Sequence, residues 1–407
     1  MNESVQMPLK GIKVVELATV VAAPTTSRML CAYGAEVIKV ETLYGDEMRR
    51  AGKSELTPYE DYKNPLFTVH NSNKKLISIN FKTEAGKEAL LKLIGEADVF
   101  ISNVREASLK RSGLDYDTLK EMFPKLIYAH FSGFGPKGPA SQNPGFDSTG
   151  FWLRSGPMAD WQVEGSFPFV PTYAFGDMST SSVLLSGILM ALIGREKTGM
   201  GTKVETSLFA SGIWCNSVGI VETQFERKHL NPDPLRPADP FDTCYKCADG
   251  KWIGIYVNEY KKDKFKLARL LGIEDILEDP RYDDVEELHT SDVLPEAVER
   301  IGKIFAQKPS GEWREILSEN SVSCEVMQST CDVSSDPQAI ENGYVEQVEY
   351  SDALKVMMPC PPVHMSSSSR RPYEPTGPVG QNTDEVLAKL GYSAGEIAKM
   401  RREGAIA

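Results

Sequence analysis

The chain has 407 residues, 41% hydrophobic and 25% charged, which excludes a mainly disordered chain, a collagen and a small disulfide scaffold. Length alone allows two or three domains at roughly 150 residues each. Its formal charge of −12 argues against a general nucleic-acid or anionic-membrane binder, but leaves room for a locally basic pocket.

The start, Met1–Lys13, lacks the apolar core of a signal peptide. The longest apolar stretch, Val183–Ile193, is broken by Ser186 and Gly187 and falls short of a span of roughly 20 residues. Seven scattered cysteines, an odd number, fit a reducing cytoplasm better than a disulfide framework. The expectation is a cytoplasmic protein with neither membrane nor nucleic acid as a partner.

Short apolar strands alternate with helical patterns over the first half. Lys13–Leu17 reads as a strand, Thr25–Tyr33 as a helix stopped by Gly34, and Glu36–Glu41 alternates with period two. Leu76–Asn80 is a further strand, Thr83–Glu96 an amphipathic helix, Val99–Asn103 a strand, Leu114–Phe123 a helix and Leu126–Ser132 a strand. Such alternation implies crossover connections and a mostly parallel sheet covered on both faces, a doubly wound, Rossmann-like α/β fold. Two helices should follow: Met178–Arg195, apolar on all sides and so buried in a core or between subunits, and Lys203–Asn216.

Asn231–Asp242 carries four prolines in twelve residues and reads as a linker or long loop. Met358–Gln381, with six prolines and a serine run, is a second loop-rich stretch. The expected organisation is a large domain over 1–225, a linker at 226–242, a small α+β domain at 243–335, a linker at 336–381, and C-terminal helices at 382–407. Ser393 with Glu396 should form a capping box in that tail.

Several motifs point nowhere. Gly133, Gly135 and Gly138 satisfy G-x-G-x-x-G, but Pro136, Pro139 and Pro144 preclude the helix that must follow to hold a pyrophosphate. Cys244 and Cys247 form a lone C-x-x-C without a second pair, so no metal site is expected. The five histidines lack zinc spacing, and G-x-S-x-G is absent.

Gly176-Asp177-Met178 is the informative site. Asp177 could simply be an N-cap. The same position suits a nucleophile: a helix N-terminus favours the anion, a carboxylate can attack an activated acyl group, and Gly176 leaves room for a substrate. Position alone leaves both open.

An ordered set of segments then resembles one family across nearly the whole chain. These are Leu9–Glu41, Asn73-Lys74-Lys75, Ala97-Asp98-Val99 with Asn103, Ser132–Gly135, Gly176-Asp177, Lys197–Ser207, and Gly380–Leu390 with Gly404-Ala405-Ile406. The family is the class III coenzyme A transferases (CaiB/BaiF type), relatives of the α-methylacyl-CoA racemases. The resemblance implies a Rossmann-like large domain built from both chain ends, an inserted small domain, and an interlocked homodimer of ring-like subunits. It implies that Asp177 is the nucleophile, forming first a mixed anhydride and then an enzyme–CoA thioester. It implies no permanently bound cofactor, coenzyme A and acyl-CoA being substrates.

By the same resemblance, the CoA site would use Val20 and Val21, Ile79 and Lys82, and Asn103, Val104 and Arg111. Lys82 and Arg111 have the chemistry for phosphates. Thr42 and Ser132 stand where some members have arginine and lysine, and the glycine-run loop of the formyl-CoA/oxalate members is missing near 250–265. Racemases pair their aspartate with a histidine about thirty residues upstream; here that place is Phe146, which cannot move a proton. The stretch Gly145–Trp161 looks most like members from amino-acid-fermenting anaerobes that act on (R)-2-hydroxy acids such as 2-hydroxyisocaproate or phenyllactate. Phe151, Trp152, Met158 and Trp161 could line an acyl pocket or a core. A racemase or epimerase, and a non-catalytic CoA-binding subunit, are the alternatives.

Overall fold

Runs of β-branched and apolar residues bounded by turn formers build the central sheet. In the computed structural model, which describes residues 7–169, 171–225 and 232–407, these runs become β1 (Lys13–Leu17), β2 (Glu36–Glu41), β3 (Lys75–Ser78), β4 (Val99–Ser102), β5 (Ile127–Ser132) and β6 (Lys203–Ser207). All pair in parallel, in the order β3-β2-β1-β4-β5-β6. This is the doubly wound order, whose direction reverses between β1 and β4. Loops leaving the C-terminal ends of those two strands diverge and open a crevice.

The β6 segment differs from expectation. Lys203–Asn216 was expected to be one helix, but Lys203–Ser207 pairs with β5 and only Leu208–Cys215 is helical. Ser207 caps that helix through the Ala210 N–H. The KVETS run pairs on one side only, at the sheet edge, so its polar residues stay accessible and mask the strand signal.

The chain divides into two compact units. The first takes in Met1–Pro157, Val170–Val221 and Asp336–Ala407. Its main core lies on one face of the sheet, where Leu90, Leu93 and Ile94 of the Glu84–Gly95 helix meet Phe100, Tyr128, Leu387 and Met400. The C-terminal segment closes against β3: Asn80 N–H donates to the Ala405 carbonyl at 2.8 Å, and Ile79 bridges Ile406. Ser393 and Glu396 form the capping box of the last helix, Ala394–Arg402. The stretch 336–381 is more than connection. It holds the Pro337–Glu341 helix, and Val345–Ser351 pairs antiparallel with Leu354–Pro359.

The second unit takes in Met158–Phe169 and Glu222–Ser335. Its antiparallel sheet contains β7 (Thr243–Lys246), β8 (Trp252–Tyr256) and β9 (Ser323–Val326), in the order β7-β8-β9. Strands β7 and β8 form an antiparallel hairpin. Helices cover the sheet around Tyr245, Phe305 and Trp313: the first two rings stack with centroids 4.9 Å apart, and Trp313 tilts against Phe305 at 4.7 Å. Part of the expected 226–242 linker, residues 226–231, lies outside the described residues.

Under the β1 end of the first unit lies a buried ionic cluster. Glu16 receives Lys39 at 2.7 Å and Lys74 at 2.7 Å, and Lys39 also meets Asp46 at 2.8 Å. All four side chains are shielded from solvent. Asp46 in turn accepts the Val20 N–H at 3.1 Å. Val20 is a β-branched residue in the left-handed region, φ 70°, a conformation that persists only when its surroundings enforce it.

Candidate active site

The crevice between the β1 and β4 loops is a cleft of about 350 Å³. Thr19–Ala22 leaves β1, Asn103–Glu106 leaves β4, and His130–Gly135 ends β5. Asn103 ties the first two loops together: its amide donates to the Thr19 carbonyl at 2.8 Å and its carbonyl accepts the Thr19 N–H at 3.1 Å. His130 donates Nε2–H to the Val104 carbonyl at 3.0 Å. The glycine-rich loop from Gly133 to Gly145 forms a wall without a helix, with Gly135 at φ 89°. Asp177 lines the same cleft.

Asp177 sits in the Phe175–Thr198 helix, which starts three residues earlier than the sequence pattern suggests. The reason lies in its cap. Ala174, the N-cap residue, is a non-glycine at φ 62° and offers no side-chain acceptor. The capping oxygen comes from thirty residues upstream: Asp147 Oδ1 accepts the Asp177 N–H at 2.8 Å, and the Gly176 amide bonds to the same carboxylate. Asp147 opens a π-helical turn, Asp147–Leu153. Ala174 packs into a small apolar cluster with Val21, Met48, Phe67 and Leu76, against which Val20 also rests. Both left-handed non-glycine residues beside the cleft are therefore held by one cluster.

Two local expectations change accordingly. Asp177 is not the cap, so its side chain is not consumed by backbone donors. Gly176 is needed for close packing of protein, not for substrate: a Cβ there would meet Phe151 Cγ at 2.4 Å and Asp147 Oδ1 at 2.7 Å. Gly176→Ala should push the two elements apart. We expect a stability loss of about 1–3 kcal/mol by chemical denaturation and a turnover loss on the order of 10²-fold from the displaced carboxylate.

At Asp177 burial outweighs the pull of a helix terminus on the anion. Burial, with the Asp147 charge beside it, pushes its carboxyl up to about 7 from an ordinary 3.8. Asp147 is itself raised by burial, against which the Asp177 and Gly176 amides and the Trp152 indole act. A half-buried carboxylate stripped of water and repelled by a neighbour is poorly solvated, hence reactive toward an electrophile.

Of the residues expected around CoA, Val20, Val21, Asn103 and Val104 share the cleft with Asp177. Ile79, just past the end of β3, is buried and outside the cleft lining. Lys82 and Arg111 are exposed and lie outside the cleft lining. Arg105 is the lysine or arginine that lines it. Ser132 lines it too, its hydroxyl accepting the Gly135 N–H at 3.1 Å, whereas Thr42 bonds the Gly45 carbonyl. Asp147, His130 and Arg105 were not foreseen. Asp147 carries no local signal, since its partners are thirty residues away. Phe151 and Trp152 are buried in the first unit; Met158 and Trp161 belong to the second.

A doubly wound sheet with its cleft at the switch point, lined by a carboxylate, defines the class of α/β proteins in which ligands bind across such a crevice. Comparison with known proteins identifies which one. A family model described as CoA-transferase family III matches residues 9–383. The chain is 37% identical over 396 residues to an (R)-2-hydroxy-4-methylpentanoate CoA-transferase of Clostridioides difficile, covering 96% of this chain and 97% of that protein. It is 32% identical over 399 residues to a cinnamoyl-CoA:phenyllactate CoA-transferase of Clostridium sporogenes, covering 97% and 96%. A crystal structure of a CaiB/BaiF family protein from Brucella suis superposes with a TM-score of 0.78 at 27% identity, over 95% of this chain and all of that one. The chain belongs to CoA-transferase family III. It is a CoA-transferase, and CoA thioesters are its substrates.

Proposed function

We propose that the enzyme moves coenzyme A from an acyl- or enoyl-CoA to an (R)-2-hydroxy acid through Asp177. The observation that carries this reading is the opening of the Asp177 carboxylate into the cleft shared by Val20, Val21, Asn103 and Val104. The acid class is supported by the names of the two clostridial relatives, one a transferase of (R)-2-hydroxy-4-methylpentanoate and the other of phenyllactate. Phe146 and Leu208, which line the cleft, supply apolar surface suited to a branched or aromatic side chain.

A carboxylate oxygen of Asp177 attacks the thioester carbonyl; the C–S bond breaks and CoA leaves as thiolate. The thiolate attacks the aspartyl carbonyl of the mixed anhydride, releasing the donor acid and leaving an aspartyl–CoA thioester. The acceptor carboxylate attacks that carbonyl, forming a second anhydride and freeing the thiolate. Attack on the acceptor's acyl carbon then yields the new thioester and restores Asp177. Each activated bond is exchanged for another, so no ATP is consumed. Water must be kept out, because both intermediates hydrolyse. Arg105, in the cleft lining, is the cation we assign to a CoA phosphate. Phe146 in the cleft wall offers no second base, which speaks against epimerisation.

The test is trapping. With acyl-CoA and hydroxylamine present, mass spectrometry should find Asp177 converted to a hydroxamate; full turnover with an unmodified Asp177 peptide would overturn the mechanism. A panel of 2-hydroxy, 3-hydroxy and short dicarboxylic acceptors should favour the first.

We further infer a cytoplasmic homodimer. The Phe175–Thr198 helix is apolar and long enough to cross a membrane by length and composition, as a core helix can also be. Its inner side packs against Ala22–Ala32, where Thr26 bonds the Ser181 carbonyl. Its outer side exposes Met190 and Ile193, and the following helices expose Trp214, Val218 and Val221. Apolar surface of this extent calls for a cover, and a second copy is the occupant we assign. Sedimentation without detergent should give twice the 45.0 kDa chain mass. If the subunits interlock, two differently tagged dimers mixed in the folded state should form no hybrid. All seven cysteines are free, as a reducing compartment allows.

A further inference from the structure

We propose that Asp147 is a positioning residue for the transfer reaction: by accepting the backbone N–H groups that begin the Phe175–Thr198 helix, it takes over the capping role and leaves the Asp177 carboxylate free in the cleft. The inference rests on Asp177 being the nucleophile and adds a residue to that reading.

Three observations converge on it. The helix cannot cap itself, since Ala174 brings no acceptor and holds a left-handed backbone. Left to local choices, Asp177, within the first turn, would be the nearest carboxylate for those donors. Asp147 Oδ1 instead reaches the Asp177 N–H at 2.8 Å, and the space that lets it do so exists only because residue 176 is glycine. The π-helical turn that presents Asp147 is anchored by buried Phe151 and Trp152, with ring centroids 5.4 Å apart. The acceptor is thus fixed on a rigid element, as a group must be to set geometry within a fraction of an ångström.

The placement has an electrostatic consequence. Asp147 brings a like charge beside Asp177, opposing its ionisation and so raising the basicity of the nucleophile. The other titratable groups around the pair do not offset this. The Tyr173 phenol, just before the helix, is pushed up by burial and by both carboxylates and stays neutral. From the Ala22–Ala32 helix, Thr25 contacts Met178, and behind it His70 is held down at about 3 by burial, hence uncharged.

The experiment compares Asp147→Asn, which keeps an acceptor oxygen but loses the charge, with Asp147→Ala, which loses both. Thermal unfolding of each variant, kcat and KM across pH, and hydroxylamine trapping are measured on the full-length protein. Asp147→Ala should lose on the order of 10²-fold in kcat with a smaller change in KM for acyl-CoA. Asp147→Asn should retain turnover within about tenfold, and the acid limb of its kcat profile should move to lower pH by about one unit. An Asp147→Asn limb that stays in place, an Asp147→Asn variant as inactive as a folded Asp147→Ala, or an Asp147→Ala variant as active as the parent overturns the proposal. Trapping separates the two levels: a wild-type Asp177 that is never labelled defeats the nucleophile reading and this one with it. A labelled Asp177 with an unmoved limb defeats only the role of Asp147.

Discussion

Asp177→Asn removes CoA transfer, by on the order of 10⁴-fold or more, and at alkaline pH makes the protein more stable rather than less. The first effect follows from losing the atom that bonds to the acyl group. The second follows from the cost of keeping a carboxylate in that cleft. Burial and Asp147 hold the Asp177 carboxyl at about 7, against 3.8 ordinarily. Between those values the folded chain binds more protons than the unfolded chain, so stability declines as pH rises through the window. At roughly 1.4 kcal/mol per unit, the asparagine variant should gain about 2–4 kcal/mol above pH 8 and almost nothing below pH 4. Denaturation midpoints of both proteins at pH 4 and pH 8 check this. Equal midpoints at pH 8 would mean that the folded protein carries the charge without penalty. The same titration predicts that wild-type kcat rises with pH through about 7, because only the ionised carboxylate attacks.

How much of this could be read from residue order differs by element. β1, β2 and β4 are mostly buried and spell themselves out in valines and isoleucines, so a parallel, doubly wound sheet was legible, though not its strand order. The β6 strand was not, because its one-sided pairing leaves lysine and glutamate accessible in a run that also suits a helix. The start of the Asp177 helix was missed because its cap is tertiary: no pattern within ten residues of Ala174 announces an acceptor at Asp147. Loop residues Val20, Val21, Asn103 and Val104 were placed in the cleft with Asp177 by family likeness, and the strand order explains why they meet there. Basic residues were harder. Lys82 and Arg111 suit phosphates chemically, but chemistry does not say which way a surface side chain faces, and Arg105 is the one at the cleft. Ile79 is buried beside its bridge to the C-terminal Ile406 and lies outside the cleft lining, a tertiary contact that its local sequence does not announce.

The largest stability effect is expected away from the chemistry, at Lys39→Met. Lys39 donates to Glu16 at 2.7 Å and to the Ala18 carbonyl at 2.8 Å, and pairs with Asp46 at 2.8 Å, all without solvent. Its two carboxylates outweigh burial and hold the ammonium in its charged form, raising its affinity for the proton. Lys74 is paired with Glu16 but lies near the Lys39 charge, so burial wins there and brings it down to about 8. Glu16 is pushed up by burial but pulled further down, to about 2, by the two lysines. Removing Lys39 leaves Asp46 buried without its cation and Glu16 half-paired, which costs about 3–5 kcal/mol. Glu16 itself predicts where acid undoes the cluster. Its folded value lies below the ordinary 4.5, so its contribution is complete above that pH and is lost as pH falls through about 2. The loss should also reach the substrate. Asp46 holds the Val20 N–H and with it the left-handed turn at the mouth of the cleft. At low temperature, where the variant remains folded, KM for acyl-CoA should rise more than kcat falls. A Lys39→Met protein that unfolds at the parental denaturant concentration, or that binds acyl-CoA unchanged, would show that the ions beneath β1 neither hold the sheet nor set the loop above it.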